Sequence, residues 1–344
     1  MTTLAVRELK QTEWNHWDEW LAVQPWSSPF SSAWWLDANC RALGSHPLLL
    51  GVFEGEDLVG GVALRTMDVG SLHIVRSPSF YSPIVLAEGS ARSRQQILCA
   101  LLDSIAQRRL IVTSIKCTAD LIDLRSAVWK GWRLRAEWTI INDLSKWSPE
   151  SQPAAAERKQ ARKAMRAGVT ARVEEPDAEL LHTLMGETMA RHSTAVSTPQ
   201  AVIETLMKAA GDHGLFVVAR NANGVALGAA YVMFQGRHTA YGIWNGNSVR
   251  GLAVNSPVLL YTALLTELQS HGFQFFDWCG GGLPGVSDFK LEFGGRLVTK
   301  LSIDRSPLWF KAAWSARLRL LTARSAATSA IVRAGRLHRQ TDAS

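Results

Sequence analysis

Acidic residues are missing from a long stretch near the end of the chain. Between Ser306 and Gln340 stand Lys311, Arg317, Arg319, Arg324, Arg333, Arg336 and Arg339, with no Asp or Glu. Those seven cations account for the whole formal charge of +7, so the rest is near neutral and a basic partner surface is expected mainly in this tail. Cysteine is scarce too. Cys40, Cys99, Cys117 and Cys279 form no Cys-x-x-Cys pair and no zinc-type spacing. The opening residues carry Arg7, Glu8, Lys10 and Glu13 in place of the apolar core of an export signal, so a cytoplasmic protein with reduced thiols is expected. No apolar run reaches the roughly 18 residues that crossing a bilayer requires.

What is present is globular: 47% hydrophobic and 19% charged residues. A length of 344 residues exceeds one ordinary core, which predicts two domains. Nine of the fourteen Trp fall within the first 138 residues, so the first domain is expected to have a bulky aromatic core or an aromatic-lined groove. Residues 14–43 show a Trp-rich helical pattern broken by Pro25 and Pro29 and restarted by Ser31 and Ser32 as N-caps. Two strands joined by a turn are predicted over 46–64, an edge strand over 78–86, a helix over 92–109, a strand over 111–117 and a strand pair over 132–144. Residues 145–156 are polar and contain Pro149 and Pro153, the composition of a linker.

A basic helix then runs from Glu157 to Ala167 and stops at Gly168. Beyond it the spacing predicts strand 169–173, helices 177–191 and 199–211, strands 215–219, 226–234 and 238–244, and a helix from Asn255 to Ser270. The boundaries expected are 1–145, 146–305 and a tail 306–344. The class is α/β (α+β) with mixed sheets in two domains.

The densest chemistry lies between Gly272 and Val298. A strand, 273–278, ends at an acid and opens into Gly280, Gly281, Gly282 and Gly285; Phe289-Lys290 and Gly294-Gly295 follow. Bare backbone after a strand brings main-chain N–H groups close to a ligand. The glycine spacing also fits a dinucleotide fingerprint, but Pro284 interrupts it and the segment before Gly294 is too short for a parallel crossover. Lys290 is either a surface lysine paired with Asp288 or Glu292, or a cation beside backbone donors where an acyl oxygen gains charge. Asp277 either bonds nearby N–H groups or orients an attacking amine. Cys279 reads as a small strand residue, since no histidine partner is evident.

Elsewhere, Arg158, Arg162 and Arg166 share one helix stripe, either a solvated face or a phosphate contact. Residues 246–255, which include Arg250, are expected to offer free N–H groups at a helix start, a cradle for a phosphate or carbonyl. His192 is a lone histidine, base or surface residue. The tail over 309–337 has the pattern of a basic amphipathic helix that packs on the body or meets an anionic membrane or RNA.

Three stretches together resemble the FemAB-like branch of the GNAT acyltransferase superfamily. They are Pro29-Phe30-Ser31-Ser32-Ala33-Trp34-Trp35, the basic helix from Arg158 to Val169, and the run from Asp277 to Gly295. The resemblance covers about residues 10–305 and implies two tandem GNAT-like domains with a cleft between them. It implies amide-bond formation from aminoacyl-tRNA, or from acyl-CoA with the 246–255 loop on the pyrophosphate, to an amine acceptor such as a cell-wall precursor. No cofactor beyond that donor and no metal is implied. Lys290 and Asp277 would be catalytic; Arg158, Arg162, Phe289, Gly281, Gly282, Arg250, Trp34 and Tyr81 would contact substrate. The chain lacks the coiled-coil arm of some tRNA-using members, and Trp278-Cys279 replaces smaller residues. A non-catalytic scaffold docked to a membrane complex by the tail is the alternative from another class.

Overall fold

The computed structural model describes residues 4–25, 27–76, 80–151, 153–281, 285–310 and 312–313. In chain order the strands and helices are β1 (Leu4–Glu8), α1 (Trp14–Ala22), α2 (Ala33–Leu43), β2 (His46–Glu54), β3 (Asp57–Val69), β4 (Leu72–Arg76), β5 (Ile84–Leu86), α3 (Ala91–Gln107), β6 (Ile111–Lys116), α4 (Arg125–Trp129) and β7 (Arg133–Asp143). Then follow α5 (Ala155–Arg166), β8 (Thr170–Glu174), α6 (Ala178–Arg191), α7 (Gln200–Ala210), β9 (Gly214–Arg220), β10 (Ala226–Phe234), β11 (Thr239–Asn247), α8 (Val249–Ala253), α9 (Ser256–Ser270), β12 (Phe275–Asp277), α10 (Val286–Glu292) and β13 (Arg296–Arg305).

These strands join one mixed sheet in the order β1-β2-β3-β4-β6-β13-β7-β12-β11-β10-β9-β8, with β5 on β3. Most neighbours are antiparallel, and each half of the chain adds one parallel pair, β4 with β6 and β11 with β12. A parallel partner requires a crossover, and α3 and α9 supply it at equivalent points of the two halves. The halves also interleave. β13, from the end of the chain, lies between β6 and β7, and β7 pairs with β12.

Helices cover both faces, which explains why strands such as β10 read as continuous apolar runs. β10 sends Ala230, Val232 and Phe234 into a core shared with α5 and α9, and Ala229, Tyr231 and Met233 into a core shared with α2, α6 and α7. The second of these cores also takes Phe30, Trp35 and Tyr81 from the first half. At Gly246 the backbone of α6 crosses β11 so closely that a Cβ would fall against the main chain of Leu184 and Met185.

Several expectations are revised. Residues 132–144 form the single strand β7, and strand 273–278 contracts to β12. In the segment read as a linker, Trp147 is buried and stacks on Phe293 at 6.3 Å between ring centroids. Strand β13, beyond Gly295, was not anticipated. Ser32 does cap α2, accepting from the Trp35 N–H. Compactness divides the chain into 1–304 and 305–344; in the second unit residues 308–310 are helical, and most of the expected tail helix lies outside the described residues. Among the described residues no helix is long and apolar enough to cross a membrane.

Candidate active site

β11 and β12 run side by side only as far as the Tyr241–Asp277 pair. Beyond it β11 continues to Asn247, while the other chain turns away into the glycine loop. Next to this divergence lies a cavity of about 800 Å³. Trp244 of β11, Cys279, Gly280 and Gly281 of the loop, Glu137 and Trp138 of β7, and Lys300 of β13 contribute to its wall. It is closed by Trp35 and Asn39 of α2, by Arg65 and Lys116, and by residues 197–199 leading into α7.

The strand alternation splits the candidate residues between two faces. Asp277 points toward Tyr81, whose hydroxyl donates to it at 2.5 Å; the Thr139 hydroxyl and the Cys279 N–H, the latter at 2.7 Å, also donate to this carboxylate. Asp277 is almost fully buried, and burial pushes its carboxyl above the usual range against the pull of those three donors. Burial, followed by the neighbouring Asp277 charge, keeps the Tyr81 phenol and the Cys279 thiol well above their ordinary values, so both are neutral at pH 7. Cys279 holds a left-handed backbone at φ 55°, which directs the chain into the loop.

Trp278 points the other way, into the core with Tyr261, Phe289 and Phe293. Lys290 is on this side. Its ammonium donates to the carbonyl oxygens of Gly280 at 2.7 Å and Trp278 at 3.3 Å, and lies 5.8 Å from the Trp278 ring. Burial lowers its pKa below the ordinary lysine value. Among the described loop residues the Cys279 and Gly281 N–H groups are engaged, the latter by the Trp138 carbonyl, and a Cβ on Gly281 would press on Leu297 and Ile140. Among the described residues the Gly280 N–H forms no hydrogen bond.

Of the residues singled out from the sequence, Asp277, Tyr81, Gly281 and Lys290 therefore meet around the loop. The others are placed elsewhere. Phe289 packs in the aromatic core. Trp34 stacks on His213 at 5.4 Å and donates to Gln235, while its neighbour Trp35 takes the cavity wall. Arg158 donates to the Pro153 and Ser151 carbonyls beside its own helix start, and Arg250 is exposed. Arg162 is exposed as well, on the outer side of α5. Gly282 lies outside the described residues. The 246–255 loop is not the open cradle expected. Its Val249 N–H is taken by the Glu187 carboxylate, its Gly251 N–H by Ser248, and those of Leu252, Val254 and Asn255 by carbonyls of the same loop.

Lys300, Glu137, Lys116, Arg65 and Trp35 were not anticipated as cavity residues. Only Lys300 left a trace in the sequence: it is a cation at an alternate position of the run Arg296–Arg305, between Val298 and Ser302. Among the described residues no group of three or more His, Cys, Asp or Glu is placed to hold a metal.

Residues 155–291 match the family model of the acetyltransferase (GNAT) domain. No curated protein matches the chain. Among solved structures, FemX aligns with a TM-score of 0.66 at 15% identity, covering 86% of this chain and 96% of its own. A tandem GNAT protein from the clavulanic acid biosynthesis pathway aligns at 0.54 and 13% identity, over 89% and 99% of the two chains. L-PGS from Bacillus licheniformis aligns at 0.53 and 14% identity, over 82% and 95%. At these identities the likeness is one of fold, and the fold is that of tandem GNAT-like halves.

Proposed function

We propose that the chain joins an activated acyl group to an amine in the cavity beside the glycine loop, a reading supported by the match of residues 155–291 to the acetyltransferase (GNAT) domain model. The observation that carries this is the loop itself: Cys279, Gly280 and Gly281 form cavity wall on one side while the Lys290 ammonium fixes two of the stretch's carbonyls from the other. Holding the two carbonyls sets the orientation of the peptide units between them. The Gly280 N–H is then the donor available to an acyl oxygen that gains charge as the carbon becomes tetrahedral. The cavity supplies the remaining effect, removing the entropy of bringing donor and amine together. Lys290 in this reading is a positioning residue, and Asp277 anchors Tyr81 and Thr139 behind the loop.

For the donor we favour an aminoacyl ester of tRNA, as the FemAB-like resemblance implies. The engagement of the 246–255 N–H groups supports it, since a pyrophosphate there would have to displace Ser248 and face the Glu187 carboxylate. The test supplies either a radiolabelled aminoacyl-tRNA pool or radiolabelled acetyl-CoA, with a mixed pool of amine acceptors, and follows label into amide. Transfer from tRNA is expected; transfer from acetyl-CoA alone would overturn the choice of donor.

A further inference from the structure

We propose that Lys300 is the general base of the transfer, accepting the proton that the attacking amine loses as the new C–N bond forms. This rests on the acyl-transfer reading above and assigns a step within it.

An amine that attacks a carbonyl must shed a proton, so the cavity needs an acceptor within reach of the loop. Five groups are candidates by chemistry. The Lys116 side chain is 31% exposed, so it lacks the desolvation a lysine base needs, and it pairs with Glu137 at 3.5 Å. Asp277 is surrounded by three donors and lies behind the loop. The Cys279 thiol is neutral and buried. Glu137 lies between two ammonium groups, 3.5 Å from Lys116 and 3.8 Å from Lys300. Lys300 remains.

Its environment suits the task. The side chain comes from β13, opposite Glu137 in register, and lines the cavity although only 5% of the residue is exposed. Its Nζ sits 4.0 Å from the centre of the Tyr81 ring, with the Phe80 carbonyl at 3.5 Å. The nearest carboxylate among the described residues, Glu137, stands at 3.8 Å, beyond hydrogen-bond distance, and with the Tyr81 ring it favours the ammonium form against the cost of burial. Burial lowers the pKa below the ordinary lysine value, and Lys116 pushes the same way; Asp277, Cys279 and Glu137 oppose. Desolvation is the usual means by which a lysine becomes a base near neutral pH.

In the transfer itself the neutral acceptor amine adds to the ester carbon, the carbonyl pair moves to oxygen, and the amine proton passes to the free amine of Lys300. Collapse re-forms the carbonyl and breaks the ester C–O bond, and the Lys300 ammonium returns its proton to the leaving oxygen.

Arginine separates this role from anion binding, because it keeps the charge and does not deprotonate. Lys300→Arg is expected to lower kcat about 10²–10⁴-fold with little change in KM, and to abolish the rise of rate with pH that the proposal requires of the unaltered protein. A readout free of turnover accompanies it: reductive methylation of the native chain with ¹³C-formaldehyde, then NMR titration, with the Lys300 signal assigned by its loss in Lys300→Arg. That signal is expected to titrate below those of the exposed lysines. Titration together with them, failure of Lys300 to take the label, or full activity in Lys300→Arg would each overturn the proposal. A wild-type chain that used neither donor would instead remove the acyl-transfer reading and leave the titration standing.

Discussion

The Lys290 ammonium and the Gly280 carbonyl oxygen are 2.7 Å apart, a charge-assisted hydrogen bond that ties α10 to the loop after β12. With the second bond to Trp278, it makes the loop's shape depend on a side chain on the opposite face of the sheet. Lys290→Met retains most of the apolar stem and removes both bonds. Transfer is expected to slow about 10–100-fold, since small misplacement of reacting groups costs roughly two orders of magnitude. Steady-state rates check this, and a loss that appears only in KM would contradict the positioning role.

A second expectation concerns stability. Tyr81 and Asp277 are 196 residues apart in the chain and share a fully buried 2.5 Å hydrogen bond. Tyr81→Phe leaves the carboxylate with two of its three donors in a site that already disfavours its charge. Unfolding in urea should show a loss of roughly 1.5–3 kcal/mol, the worth of a hydrogen bond to a charged group. Equal stability would mean that the carboxyl is protonated and weakly held.

That pair also marks where sequence reading stops. That Lys290, Asp277 and the glycine loop are neighbours was legible because they are close together in the chain. The helices and antiparallel strands were legible because their apolar spacing is local. Tyr81 was picked out without its partner, since nothing local points across 196 residues. Lys300 was missed with the whole of β13, whose alternation is blurred by Lys300, Ser302 and Asp304 on its buried side. Trp34 was taken in place of Trp35 because adjacent helix residues differ by about 100° in direction, finer than a resemblance resolves. The free N–H groups expected over 246–255 failed for another reason: Glu187, arriving from α6, takes that of Val249, and Ser248 and carbonyls of the segment itself take those of Gly251, Leu252, Val254 and Asn255.

Gly246 offers a test of packing between α6 and β11. Its missing side chain lets the helix backbone rest on the strand, and the neighbours that a Cβ would meet are main-chain atoms unable to rotate aside. Gly246→Ala should therefore cost roughly 3 kcal/mol, at the upper end of the overpacking range. The thermal midpoint should fall by several degrees. An unchanged midpoint would show that α6 slides along the sheet freely.

Asp18 makes stability depend on pH. Its carboxylate accepts from the N–H groups of Ala33 at 2.7 Å and Trp34 at 3.4 Å, at the start of α2, yet burial outweighs those bonds and raises its pKa to about 6. In the unfolded chain the value returns to about 4. The folded protein thus holds a proton that the unfolded chain has released between those limits, so this group's contribution favours folding at low pH and declines as pH rises from about 4 to about 6. That difference between the two states corresponds to roughly 3 kcal/mol. Asp18→Asn keeps an acceptor oxygen for the shorter bond, from Ala33, and cannot ionise. Its stability profile, measured by urea unfolding at closely spaced pH values across and just above that window, should lack the decline attributable to Asp18, with the gap to the unaltered protein widening in the variant's favour toward neutral pH. A constant gap across that range would show that Asp18 does not titrate there.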